Sequence, residues 1–487
     1  MKSHMLTAAV PTLLSLWLSH PALALDGEPY IHDPSTVVEC DGKYYAWGTG
    51  GTGLVSDDGW VWHAGARVRA GAAPDVIHIG DRYYMAYASS GGGLGGGHAS
   101  QIRVKWSKTL DPNSPDYAWN EDHVVASSDG IEDCDAIDPG FLLDPTTGRL
   151  WVSYGTYFGF TRIVELDPRT GQHIPDNKPV NVAIDCEATD PIYHDGWYYL
   201  LGTHGTCCDG ANSTYNIRVG RSKSVTGPYL DNLGNDMLKG GGKLVAAASG
   251  HFVGPGHFGL MELGDDVEKF TCHYEADLDR GGRSVLDIRP LLWKDGWPVG
   301  GDNFKEGTFE IQSEASGYAL ELAVDFVRMG GGRGGWGGGF GGRGGGGPVT
   351  PVPLQELSQV ESNWPAGNID IRIHDYMMRP NQKWTITAVT NASGYPGSPC
   401  FKITIAGTDR ALAATADAEV VAVPAFTGAP EQLWRIDQCT DGTYRIMPKA
   451  VPDSKEPLVL TTVGYSTPTL AKFDLNSDRS RWNFRAP

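Results

Sequence analysis

Residues 187–205 read EATDPIYHDGWYYLLGTHG, an apolar strand, a tight Asp-Gly turn and a second strand opened by aromatics. That is the pattern of a β-hairpin, and it recurs. Residues 32–50 read HDPSTVVECDGKYYAWGTG, residues 73–90 read APDVIHIGDRYYMAYASS, and residues 136–157 read AIDPGFLLDPTTGRLWVSYGTY. A less regular fifth copy opens with GPGHFGLMEL at 254–263. The copies start about 40 to 65 residues apart, the span of one small antiparallel sheet with its connections. Four or five such sheets in series point to a propeller, in which radial packing buries both faces of each sheet. A two-sheet sandwich would meet the same strand spacing; the recurrence of the hairpin favours the propeller. Helical periodicity is scarce, because apolar runs are short and cut by Gly or Pro.

The hairpins also supply a register. Asp33 lies eleven residues before Tyr44, and Glu187 lies eleven before Tyr198. Asp138 lies thirteen before Trp151, with two extra residues in the turn at 144–148. This reading places the three carboxylates at one position in three sheets, converging on one mouth of a central channel. A lone Asp-Pro is a common turn pair. Three acidic groups in register oppose one another, and that cost suggests a use. Asp75 and Asp190 each lie eight residues before their tyrosine pairs and so share a second register. Strand alternation turns them away from Glu187, which favours structural roles. His257 sits between Gly256 and an apolar run in GPGHFG. Close backbone approach there could bring its ring to a water, an ion or a sugar hydroxyl, or leave it an ordinary turn histidine.

Cleaving a glycosidic bond requires one protonated carboxyl at the leaving oxygen and one carboxylate acting as base or nucleophile. A third carboxylate can raise the acid's pKa by repulsion. Asp33, Asp138 and Glu187 supply that set, and the longer reach of Glu187 suits it to the leaving oxygen. Composition argues against a nucleic-acid partner and is neutral on uncharged sugars. The net charge is −19, from 58 acidic against 39 basic side chains, which repels nucleic acid. The 65 Gly, 31 Pro, 15 Trp, 20 Tyr and 14 Phe suit tight turns, short strands and an aromatic binding surface.

The chain begins with Lys2, an apolar stretch at 6–18 and the small-residue site Ala22-Leu23-Ala24, so residues 1–24 read as a signal peptide. The mature protein is then expected outside the cytoplasm, secreted or periplasmic, without stable membrane insertion. Eight cysteines are compatible with a few local bridges. The adjacent pair Cys207-Cys208 can form a vicinal disulfide or send each thiol elsewhere.

Several segments resemble glycoside hydrolase family 43, in its arabinanase and arabinofuranosidase branch. They are HDPS at 32–35, AIDPG at 136–140, EATDPIYHDGWYYL at 187–200, CCDGANSTYNIRVGRSKSVTGPY at 207–229, GPGH at 254–257 and IRPLLWKDGWPV at 288–299. The resemblance implies a five-bladed β-propeller over 25–303. It implies that Asp33 is the general base, Glu187 the general acid and Asp138 the group tuning Glu187, with inversion at the anomeric carbon. It further implies that Asn212, Ser213 and Tyr215 border the substrate cleft and that His257 meets a central ion, commonly calcium. The expected substrate is α-1,5-linked arabinan, cut internally or from an end. Another furanosidase, a β-xylosidase or a non-catalytic sugar-binding protein are the alternatives. One departure is Thr189 where the family's acid usually stands in Glu-Ala-Pro, which keeps Asp190 in view as a competing acid.

A second β-rich pattern follows over 304–487. Gln382-Lys383-Trp384, Gln432-Leu433-Trp434 and Ser480-Arg481-Trp482 place tryptophans 50 and 48 residues apart. Three copies imply a β-trefoil with the tryptophans in its core, similar to ricin-type lectin domains, with Ser480 departing from the usual Gln. Such a domain can bind sugar or brace the enzyme. The glycine-rich stretch at 329–347 interrupts its first third and reads as a surface insert. Cys400 and Cys439 are expected to bridge neighbouring repeats.

Overall fold

The computed structural model describes residues 24–89, 99–131, 133–324, 355–465 and 467–487. The leader reading at 1–24 and the glycine-rich insert fall almost wholly outside these residues. The chain forms a five-bladed β-propeller followed by a β-trefoil.

Each blade is an antiparallel meander of four strands. Blade 1 comprises Val38–Cys40, Lys43–Gly48, Thr52–Ser56 and Val61–Gly65, and Asp26–Gly27 adds in parallel to its outer edge. Blade 2 comprises Ala72–Ile79, Arg82–Ser89, Gln101–Ser107 and His123–Ser127. Blade 3 comprises Gly140–Leu143, Leu150–Tyr154, Phe160–Leu166 and Val180–Ile184. Blade 4 comprises Glu187–His194, Trp197–His204, Asn216–Ser222 and Lys243–Ala246. Blade 5 comprises Phe252–Glu262, Glu268–Asp277, Arg283–Lys294 and Trp297–Gly300.

The apolar positions of these strands pack blade against blade. Tyr45, Trp47, Val76 and Met85 fill the seam between blades 1 and 2, and Tyr84, Val104, Phe141 and Val152 that between blades 2 and 3. Leu142, Ile163, Leu200 and Tyr229 join blades 3 and 4, and Tyr199, Val219, Phe258 and Phe270 join blades 4 and 5. The ring closes where Ile31, Trp60, Leu286 and Ile288 pack together. There the segment before blade 1 is stapled to blade 5: Leu286 N–H donates to Pro29 O (2.7 Å) and Ser284 Oγ to Ile31 O (2.7 Å).

The trefoil has three thirds of four strands. They are Gly307–Ser313, Ala319–Leu322, Ile369–His374 and Trp384–Ala388; Phe401–Ile405, Ala411–Ala414, Val420–Val423 and Trp434–Gln438; and Tyr444–Pro448, Val459–Val463, Thr467–Ala471 and Trp482–Arg485. Trp384, Trp434 and Trp482 are fully buried at its centre. Cys400 and Cys439 do not bridge the repeats. Both are free, buried thiols, pushed by burial up to about 11 and about 12, and so act as small uncharged core groups.

The two domains meet through charge. Asp437 of the trefoil lies 3.3 Å from Lys269 of blade 5 and 2.8 Å from Arg445. Arg445 also reaches Asp265 (3.1 Å), and Arg481 reaches Asp266 (2.7 Å), both in the turn preceding Lys269.

Candidate active site

Near the start of its innermost strand, every blade carries the same β-bulge. In blade 4, Glu187 pairs with Thr203 and Asp190 with Leu201, so three steps on one strand face two on the other. Blades 2 and 5 show the same shift between Ala72 and Asp75 and between Gly256 and Gly259. In blade 1 the hydrogen bonds Thr49 N to His32 O and Ser35 N to Trp47 O bracket it; in blade 3, Gly155 N to Ile137 O and the Gly140–Ser153 pair do so. The first bulged residue has positive φ in all five: Asp33 (51°), Ala73 (43°), Asp138 (54°), Ala188 (47°) and His257 (56°). In three of them the next residue is proline, which has no N–H to lose from a broken ladder. A bulge re-aims a side chain, and here it does so five times around one axis.

This register corrects one step of the sequence reading. Asp138 is equivalent to Asp33, but Glu187 is equivalent to His32, one residue earlier. The matching eleven-residue offsets arise because blade 1 carries a second irregularity. Between Ser35, bonded to Trp47, and Val38, paired with Tyr45, three steps again face two. The bulge also alters the expectation for Asp75 and Asp190. It reverses alternation, so both remain inside the channel. Asp75 accepts from Thr36 N–H (2.9 Å) and Phe141 N–H (2.9 Å), tying blade 2 to both neighbours. Burial and then Asp75 hold Asp190 well above the usual carboxylate range. These two carboxyls adjoin a cavity of about 580 Å³ farther along the channel, and Asp190 is not part of the cluster around Glu187.

That cluster sets two carboxyls apart. Glu187 is 5 % exposed and accepts a hydrogen bond from Tyr215 Oη. Burial first, then the nearby Asp138, push it up to about 8, against the smaller opposing pull of Tyr215 and His257. Asp138 is itself raised, chiefly by burial. Asp33 goes the other way. Burial opposes its charge, but His257, His32 and His273 outweigh burial and hold it well below the usual carboxylate range. Its Oδ2 accepts from Thr49 Oγ1 (2.6 Å), its Oδ1 lies 2.8 Å from His32 Nδ1, and its N–H donates to His273 Nδ1 (3.2 Å). Thr49 Oγ1 also accepts from Ala73 N–H (3.0 Å), so the bulge of blade 2 steadies Asp33 although it carries no polar side chain.

His32, Thr49, His273 and Glu275 were not singled out in the sequence. His32 immediately precedes Asp33 and is the residue equivalent to Glu187, a signal that a bulge-aware register contains. Glu275 lies 3.2 Å from His32 Nε2 and 3.5 Å from His273 Nε2. Burial pushes His273 down to about 4, while His32 rises to about 10 because Asp33 and Glu275 outweigh its burial. Nothing in the hairpin repeat marks His273 or Glu275, which sit on the second strand of blade 5.

Of the expected cleft residues, Tyr215 is buried against Glu187. Ser213 shapes the loop by donating to Thr206 O (2.8 Å) and accepting from Tyr215 N–H (3.2 Å), and Asn212 is exposed in the short turn Gly210–Asn212. His257 is buried, with its ring nitrogens 3.4 Å from Asp33 and 3.9 Å from Asp138, charge-pair distances rather than hydrogen bonds. Both ring nitrogens lack a hydrogen-bond partner. Asp33 and Asp138 outweigh burial and push this imidazole up to about 9, so it carries the positive charge itself; only in its neutral form does the orphaned ring fit a place on a hydrated cation.

Comparison with known proteins agrees with this architecture. The family model "Glycosyl hydrolases family 43" matches residues 44–298, more than half of the chain, and "Ricin-type beta-trefoil lectin domain-like" matches 380–467. An extracellular endo-α-(1→5)-L-arabinanase of Bacillus subtilis is 29 % identical over 322 residues, 60 % of this chain and 92 % of that protein. An extracellular exo-α-(1→5)-L-arabinofuranosidase of Cellvibrio japonicus is 34 % identical over 261 residues, 50 % of this chain and 70 % of that protein. The crystal structure of an exo-1,5-α-L-arabinanase from a bovine ruminal metagenomic library superposes with a TM-score of 0.51 at 34 % identity, covering 57 % of this chain and 99 % of that one. With that family match over more than half of its residues, the chain belongs to glycoside hydrolase family 43.

Proposed function

We propose that the propeller hydrolyses α-1,5-linked arabinofuranosyl chains of arabinan with inversion, using Asp33 as general base, Glu187 as general acid and Asp138 as the group that keeps Glu187 protonated. The observation that carries this reading is the opposite displacement of two carboxyls in one buried cluster, Asp33 downward and Glu187 upward to about 8. At neutral pH Asp33 is a carboxylate able to take a proton from water, while Glu187 holds the proton the leaving oxygen needs. Water attacks the anomeric carbon as Asp33 removes its proton; the glycosidic bond breaks as Glu187 donates its own. Afterwards Asp33 is protonated and Glu187 charged, and exchange with solvent restores both. Tyr215, donating to Glu187, stabilises the charged form produced in this step.

A calcium ion held through neutral His257 and water would take the place of the imidazolium charge beside Asp33 and offset the self-repulsion of the acidic cluster. Export from the cytoplasm follows from the leader reading and accords with the extracellular relatives. Among the described residues no helix is long and apolar enough to cross a membrane. The trefoil is proposed to hold the enzyme on polysaccharide. Linear arabinan, debranched arabinan, xylan and aryl glycosides test the substrate. Equal rates for wild type and Glu187→Gln on all of them would reject the catalytic reading. Product sizes over time divide internal from terminal attack, and the anomer released, followed by NMR, tests inversion.

A further inference from the structure

Cys207 and Cys208 are joined as a vicinal disulfide. The mechanism above does not use it, yet it adjoins His32 and Glu275, and His32 contacts the base. Cys207 Sγ, Cys208 Sγ, a His32 ring nitrogen and a Glu275 carboxylate oxygen all lie within 4.8 Å of one another. The contact is directional. Cys208 N–H donates to Glu275 Oε1 (3.1 Å), the same oxygen that lies 3.2 Å from His32 Nε2, and the other nitrogen of that ring lies 2.8 Å from Asp33 Oδ1. One unbroken series of contacts therefore runs from the disulfide to the carboxylate assigned as base.

We propose that the Cys207–Cys208 disulfide positions Asp33 through Glu275 and His32, so that its reduction lowers turnover while leaving substrate affinity nearly unchanged. This rests on the assignment of Asp33 as base. Cys208 has φ of 63°, in the left-handed region that a residue other than glycine leaves when free to do so. The disulfide closes a small ring through the Cys207–Cys208 peptide and holds it there, with the N–H aimed at Glu275. Reduction breaks the S–S bond and forms two S–H groups. The two electrons and two protons come from an added dithiol, which closes to its own disulfide. The freed peptide relaxes, and Glu275, 3 % exposed at its side chain, loses a donor that water cannot readily replace. Glu275, then held only through His273 at 3.5 Å, positions His32 less firmly on the side away from Asp33. A small displacement of a catalytic group is enough to cost rate. Cys208 is exposed, so a dithiol can reach the bond, and the other six cysteines are already thiols.

The test uses the full chain on linear arabinan, with and without dithiothreitol, the state of residues 207 and 208 being read by alkylation and peptide mass. Reduction is expected to lower kcat roughly fivefold or more with KM within about twofold. Glu275→Gln should give a similar fall, and reducing that variant should add less than about twofold, because one pathway is cut only once. The double variant Cys207→Ser, Cys208→Ser should match the reduced wild type and ignore dithiothreitol. If it fails to fold, reduction of the wild type still decides. An unchanged kcat after verified reduction, a rise in KM alone, or effects of reduction and Glu275→Gln that multiply would each overturn the inference. An oxidised wild type no faster than Glu187→Gln would instead reject the catalytic reading, and this inference with it.

Discussion

The two domains use internal repetition in opposite ways. In the trefoil, one position carries one residue three times and makes one bond three times. The indole N–H of Trp384 donates to Leu320 O (2.8 Å), that of Trp434 to Leu412 O (2.9 Å) and that of Trp482 to Leu460 O (2.8 Å). In the propeller, one strained backbone position recurs five times with a mixed set of side chains: Asp33, Ala73, Asp138, Ala188 and His257. Where the repeated residue is constant, the repeat serves packing. Where the backbone is constant and the side chains differ, the scaffold is holding unlike groups around one point, and the cost of a left-handed residue, about 1 to 2 kcal/mol each, is retained in every blade.

The largest way to break that comparison is to disarm a carboxyl that the bulges present, Glu187 just before one of them or Asp33 within another. Glu187→Gln keeps size and hydrogen bonding but has no proton to give, and kcat on arabinan should fall by about 10² to 10⁴. Thermal unfolding should move little, because a buried carboxyl is replaced by a neutral amide. Asp33→Asn should fall as far, measured the same way. A loss under tenfold for either would place the chemistry elsewhere.

The complementary change is in the trefoil. Trp434→Ala removes a fully buried indole and should cost about 3 to 5 kcal/mol in denaturant unfolding. Trp384→Ala and Trp482→Ala should cost the same within about 1 kcal/mol, since all three sit in equivalent packing and make the same bond. kcat on short soluble arabino-oligosaccharides, per folded molecule, should be unchanged. A drop in kcat would show that the charged interface through Lys269 and Asp437 carries strain into blade 5.

The symmetric features were the legible ones. Hairpins and QxW triplets repeat, so a single sequence contains its own alignment, and both domains were readable from it. Ser480 shows the limit of such a motif. Gln382 and Gln432 each accept from a backbone N–H five residues upstream, Met377 and Thr427, both at 2.7 Å. The shorter Ser480 instead pairs with Thr461 Oγ1 (2.8 Å). Bulges were not legible, because an inserted residue leaves no compositional mark. Counting eleven residues to an aromatic pair therefore selected Asp33 and Glu187 together while misplacing Glu187 by one. His273 and Glu275 were hidden for a different reason: they reach the site from a second strand, where no repeat brings them to notice. The charged domain interface was likewise invisible, since Lys269 and Asp437 are separated by most of the trefoil.

The smallest predicted effect separates the causes acting on Glu187. With Glu187 as the proposed acid, activity requires its proton and is expected below its pKa and lost as pH rises through about 8. That alkaline limb of kcat/KM should respond in opposite directions to two substitutions. Asp138→Asn removes a like charge that favours the neutral form; the pKa of Glu187 falls and the limb moves to lower pH. Tyr215→Phe removes a hydrogen bond that favours the charged form; the pKa rises and the limb moves to higher pH. Each shift should be about one pH unit, given that one unit corresponds to about 1.4 kcal/mol and a hydrogen bond to a charged group to about 1.5 to 3. With Asp33 as the proposed base, the acid limb should stay below the usual carboxylate range in both variants. Limbs moving in the same direction would mean that desolvation alone, and not the Asp138 charge, sets the proton on Glu187.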